Sequence, residues 1–237
     1  MAIAYTNQKA SGSAASGNSI VITVPGGGFT AGNQLIVAAY NEDDTYNISS
    51  VSAGGNLYTQ NHRIVDTPVS FSTVILGEIY LASGMAAAST ITVTTTTSVG
   101  GVVSVYEFSG LMTGDCFDKA ASAVINFDTA YDSGATATTT QADELLFGVN
   151  HSFDQTITFL PLNSFSEIDE NAWFASWDTQ VQYKIVSATG TYNSTATASG
   201  ATKGIAAIGT YKAAPSGPAP DTQTRRYQIR RSRMTSW

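Results

Sequence analysis

The chain predicts an all-β fold: an antiparallel β-sandwich of jelly-roll type, with about 12–14 short strands from two similar halves and an extended C-terminal arm. Three observations lead there. Strand-like segments follow one another with Gly-, Ser- and Asn-rich joints between them. No segment sustains a helical period, so helix content falls below the globular average of about a third. Charged residues are only 12 % of the 237, about half the usual share, and Thr, Val, Ser, Ala and Gly fill the gap, as pleated strands and tight turns require.

In chain order, strands are expected near Ser19–Val24, Gln34–Tyr40, Ile48–Ala53, Leu57–Val65, Thr73–Leu81, Thr90–Thr96 and Val102–Ser109. A second series follows near Ala135–Thr140, Glu144–Ser152, Thr156–Leu160, Ser164–Glu170, Trp177–Val186, Ser194–Ala198 and Gly204–Lys212. Ile91-Thr-Val-Thr94 alternates, which sends one face inward and the Thr face to water. Leu35–Tyr40 and Val102–Phe108 are apolar on both faces, as central strands are. A short helical turn is expected at Thr113–Lys119.

The two series resemble each other. Gln34-Leu-Ile-Val-Ala-Ala-Tyr40 matches Glu144-Leu-Leu-Phe-Gly-Val-Asn150, and Glu78–Gly84 matches Lys184–Gly190. Thr90–Thr94 matches Ser194–Ala198, and Gly101–Ser109 matches Gly204–Lys212. Four matches in one order argue for a duplicated unit, with half-repeats at about 17–110 and 135–213. The favoured arrangement is one intertwined sandwich over residues 1–213, the alternative being two tandem sandwiches. The joining segment 111–134 is neither Pro-rich nor strongly charged, so it does not read as a free linker.

Charge is divided unevenly. Residues 1–221 carry all 18 acids and six bases, a net of −12, whereas residues 222–237 carry five arginines and no acid. A spacer containing Pro215, Pro218 and Pro220 precedes that basic segment, and such a composition stays extended. Arg225, Arg226, Tyr227, Ile229, Arg230, Arg231, Arg233 and Trp237 are the candidate docking residues. In an extended arm, Tyr227, Ile229 and Arg231 share one face, a spacing that can add a strand to a sheet edge. Docking onto a protein assembly is favoured over a solvated tail. Nucleic acid is the less favoured partner, because the acidic body would repel it.

Catalytic chemistry finds little purchase. His62 and His151 stand outside any His-x-x-x-His or Cys-x-x-Cys array, so a transition-metal site is not expected. Gly26-Gly-Gly-Phe lacks the Lys-Ser/Thr of a phosphate loop and reads as a hairpin turn. Cys116 is the single cysteine, so no internal disulfide can form; it reads as a small buried hydrophobe. Carboxylates cluster at Glu42-Asp-Asp44 and at Glu167, Asp169 and Glu170; Ca²⁺ is conceivable there, but solvated acidic turns fit better. Catalytic, cofactor and metal residues are therefore all expected to be none. Trp173, Phe174 and Trp177 lie near those acids. If exposed, Trp173 and Trp177 would offer a glycan platform; if buried, they are core. The sequons at Asn47, Asn150 and Asn193 read as chance matches. The first residues lack a basic region followed by an apolar core, so no export signal is expected there. No run approaches the ~20 apolar residues that span a bilayer, so no membrane partner is expected.

Several phrases resemble a recurrent β-sandwich module of bacteriophage virion structural proteins and some bacterial surface proteins. They are Gly32-Asn-Gln-Leu-Ile-Val, Ser52-Ala-Gly-Gly-Asn-Leu-Tyr-Thr, Tyr106-Glu-Phe-Ser-Gly-Leu, Thr138–Gly148 and Val181–Tyr192. The resemblance covers most of 17–213. It implies a non-enzymatic structural or adhesive role and supplies no catalytic residue. The expectation is a virion protein, made in the host cytoplasm and exposed on an extracellular particle. A capsid decoration (cement) protein ranks ahead of a tail or baseplate accessory or fibre protein. Its partners would be capsid or tail subunits and copies of itself. A carbohydrate-binding adhesive module that meets a cell-surface glycan comes second, and a glycoside-active enzyme with no nameable acid/base pair comes last.

Overall fold

A computed structural model describes residues 2–24, 28–41, 43, 45–53, 56–66, 72–81, 90–97, 99–154, 156–173 and 177–215. These residues form fourteen strands and no helix. The first eight are β1 (Ala4–Ser16), β2 (Ser19–Thr23), β3 (Gln34–Asn41), β4 (Ile48–Ser52), β5 (Tyr58–Asp66), β6 (Ser72–Tyr80), β7 (Thr90–Thr95) and β8 (Val99–Ser109). The others are β9 (Phe117–Asp132), β10 (Asp143–Ser152), β11 (Phe159–Pro161), β12 (Ser166–Trp173), β13 (Trp177–Ser187) and β14 (Thr195–Lys212).

Pairing is antiparallel and nested. β1 pairs with β8, β2 with β7 and β3 with β6, the wrapped order of a jelly roll. One departure is β5, which pairs with β6 on the large sheet. The first unit thus has a large sheet, β1-β8-β3-β6-β5, and a small one, β2-β7-β4. The second unit repeats the large sheet as β9-β14-β10-β13-β12, with β11 on the first stretch of β14. Long β9 and β14 each do the work of two first-unit strands, changing register near Thr197–Thr202.

Among the described strands, every ladder joins strands of the same half. The halves are therefore stacked, not intertwined as the sequence favoured. β3 shows why its residues are apolar on both faces. Leu35, Val37 and Ala39 enter the cluster shared with the small sheet. Ile36, Ala38 and Tyr40 enter a cluster shared with Leu145, Phe147, Val149, Val181 and Ile205 of the second unit. The largest apolar layer thus lies between the two large sheets. Polar contacts frame it: His62 Nε2 lies 2.8 Å from Ser122 Oγ, and Lys9 pairs with Asp169.

Two strands went unread in the sequence. β1, Ala4–Ser16, is rich in Ala, Ser and Gly and carries few bulky strand formers. Small residues are needed there, since a Cβ on Gly12 would lie 2.5 Å from the Val21 carbonyl oxygen. The segment 111–134 holds β9, and Phe117–Lys119 belong to that strand, not to a helical turn. Residues 135–140 lie outside any ladder. They are held by Ser133, Thr136 and Thr139 amides donating to the carbonyls of Ser194, Tyr192 and Gly190.

Candidate functional site

The candidate residues from sequence meet different fates. Trp177 opens β13, is 5 % exposed and packs edge-on to His151 at 5.8 Å. It belongs to the layer between the units, so of the two readings the core one describes it: its ring is covered on the inside of the protein and does not offer the glycan contact. Trp173 ends β12 opposite Trp177 in the hairpin register. Arg225, Arg226, Tyr227, Ile229, Arg230, Arg231, Arg233 and Trp237 lie outside the described residues, as do Phe174, Glu42 and Asp44. Glu167, Asp169 and Glu170 sit on β12, not in a turn, and they diverge. Asp169 meets Lys9 across the junction, whereas Glu170 accepts the Phe159 amide at 2.6 Å. No three His, Cys, Asp or Glu side chains among the described residues are grouped to hold a metal ion.

A cleft of about 340 Å³ opens at one edge of the junction, lined by Asn56, Leu57, Thr59, Glu78, Tyr80, Gly114 and Asp115. Its construction is local. Thr59 and Glu78 are cross-strand neighbours of β5 and β6. Gln34 Nε2 donates to the carbonyls of Met112 and Gly114 at 2.9 and 2.7 Å, which fixes the connecting segment as the opposite wall. Glu78 shares the junction-facing side of β6 with Val74 and Leu76 but lies at the strand end. It is 2 % exposed. Buried Cys116 donates its thiol to Oε2 at 2.6 Å, and Oε1 has no protein donor.

Burial raises the Glu78 carboxyl above its ordinary range, the Cys116 hydrogen bond opposes this in part, and the Asp115 charge adds to the rise. Burial, then the Glu78 charge, pushes the Cys116 thiol far up, so the sulfur stays protonated and is a donor, not a nucleophile. Leu57 stands 83 % exposed at the rim. The cleft thus combines apolar walls with one buried and one exposed carboxylate, a lining suited to an apolar stem that ends in a cationic group.

Elsewhere, buried polar groups staple the fold. Glu107 is fully buried on β8, and its Oε1 accepts from the Thr30 amide at 2.8 Å and Asn33 Nδ2 at 2.6 Å. Thr6 Oγ1 donates to its Oε2 at 3.1 Å. Glu107→Ala strands these donors and is expected to cost about 2–3 kcal/mol, read as a shift in the urea midpoint. A loss under half a kilocalorie would show that water replaces the carboxylate. Inside the second unit, Asn150 Nδ2 donates to Gln180 Oε1 at 2.7 Å, and Gln182 Nε2 donates to Ser194 Oγ at 2.7 Å.

The sequence carried a signal for Glu78 and Glu107 that went unused: a lone carboxylate inside an otherwise apolar strand needs a buried partner or a ligand. Nothing in the spacing ties Glu78 to Asp115. Comparison with protein-family models, with curated proteins and with solved structures finds no match to this chain.

Proposed function

We propose that this chain is a structural protein of a bacteriophage particle: a decoration protein that presents its stacked β-sheets and docks through its 222–237 segment. A place on the tail or baseplate is the neighbouring reading. The observation that carries the proposal is the segregation of charge, five arginines and no acid in residues 222–237 against a net of −12 in the rest. Two further features support it. Jelly rolls recur in capsid and lectin domains, and the phrases cited above resemble virion modules. The glycan-binding reading loses its support at Trp177, which is core.

The test is incorporation into particles. Ala213 and Ala214 donate to the Asp143 and Gly110 carbonyls and so belong to the body. The cut therefore falls after Pro215. All fourteen described strands precede that point, so the deleted protein should keep the parent's melting temperature while its copy number in purified virions falls about tenfold or more. Undiminished incorporation, or absence of the parent chain from virions, sinks the proposal.

A further inference from the structure

We propose that the cleft holding Glu78 and Asp115 receives an arginine from the 222–237 segment of a second copy, joining copies head to tail. The inference rests on the reading of that segment as a docking arm and goes further by naming where it docks.

The chemistry of the cleft selects the ligand. A carboxylate that is 2 % exposed, with one oxygen lacking a protein donor, lies at its inner wall. A second carboxylate, Asp115, is exposed in the same cleft. Among the described residues neither makes an ion pair. Burial and Asp115 hold the Glu78 carboxyl toward its neutral form, and a cation in the cleft would reverse this by supplying the missing counter-charge. The remaining walls, Leu57 and Tyr80, suit an aliphatic stem and the flat face of a guanidinium. Arginine meets all three demands, since its fork can engage two carboxylate oxygens at once. A saccharide would leave the apolar wall uncovered and the buried carboxylate without a counter-charge.

The sequence supplies the arginines, and the exit of the chain decides whose they are. The Lys212 amide donates to the Cys116 carbonyl at 2.7 Å, and the Ala214 amide donates to that of Gly110 at 2.8 Å. The chain thus leaves the body beside the cleft's own wall. Pro215, Pro218 and Pro220 then stiffen the spacer. At ~3.1 Å per residue, the chain from Pro215 to Arg225 can reach at most about 30 Å. Three prolines within residues 215–220 disfavour the sharp reversal that the cleft beside its own root would require, so a second copy is the proposed donor of the arginine. Such a contact joins two different surfaces, so copies form a ring or an open chain.

Sedimentation velocity on the full chain tests this. The parent is expected to associate with rising concentration, and an added peptide of residues 222–237 to dissociate it. Asp115→Lys, an exposed substitution, is expected to weaken association about tenfold or more. Glu78→Gln is expected to act in the same direction. Association unchanged in Asp115→Lys but lost in an Arg230→Glu/Arg231→Glu variant overturns the cleft and leaves the arm. A parent that stays monomeric throughout overturns docking between copies, while the incorporation test above decides the particle reading separately.

Discussion

Replacing Phe147 with alanine is expected to cost about 3–5 kcal/mol of unfolding free energy, one of the two largest effects anticipated for this chain. Phe147 belongs to the second unit and is fully buried, but its neighbours belong to the first. Its ring lies 5.6 Å from Tyr106 and meets Phe108 edge-on at 6.2 Å. Truncation therefore opens a cavity in the layer that joins the units. That layer is broader than either unit's separate interior. The second unit's interior holds two small apolar clusters, around Phe159 and around Phe165, with Asn150, Gln180 and Gln182 buried nearby. The second unit consequently leans on the first for apolar contact. Parent and variant should each unfold in one transition, coincident by far-UV circular dichroism and Trp fluorescence. A loss below about 1 kcal/mol, or two separated transitions, would show that the units are stable alone and merely touch.

The fold was legible where periodicity had a single cause. Ile91 and Val93 alternate with threonine, and β7 buries that face. The doubly apolar Leu35–Tyr40 announced a central strand, although its second face meets another large sheet and not a sandwich partner. The repeated phrases fall on equivalent strands: β3 and β10 hold the same place in their sheets, as do β6 and β13. Stacking and interleaving give the same strand pattern, because both bury the same faces. Only which strand bonds to which separates them, and that is a long-range choice. β1 and β9 were invisible for a related reason. They serve as partners of β8 and β14 through backbone hydrogen bonds, and a ladder does not require bulky side chains.

The candidate cleft was less legible than the fold. Glu78 and Asp115 are brought together by Gln34, which holds the connecting segment against the end of the β3–β6 ladder, a long-range contact that no local pattern encodes. Tryptophan near acids left two readings at Trp177, core packing and a ligand platform, and burial decides for the core. Cys116 fits the small buried hydrophobe expected of it but adds a role composition does not reveal, donating to Glu78.

His151→Phe is expected to remove a pH-dependent loss of stability that reaches about 4–5 kcal/mol in strong acid. The imidazole is fully buried among Tyr40, Phe153 and Trp177, and neither ring nitrogen has a hydrogen-bond partner in the protein. Burial lowers its pKa from 6.5 to about 3. In the unfolded chain it titrates near its ordinary value. Between those limits the unfolded state takes a proton that the folded state refuses. The stabilising contribution is therefore whole above pH 6.5 and drains away as pH falls toward about 3, with about 2 kcal/mol gone by pH 5. Two carboxyls act in the opposite sense. Burial raises Glu144 to about 7, and burial with the Glu170 charge does the same for Asp178. Their contribution is present below the unfolded range near ~4 and is lost as pH rises toward 7. The parent's curve is thus a composite, and the difference between parent and variant isolates the histidine. That gap should widen by about 2 kcal/mol from neutral pH to pH 5, measured by urea denaturation at each pH. Parallel curves would mean that the ring is solvated or paired in solution, and that the apolar layer around it opens to admit a proton.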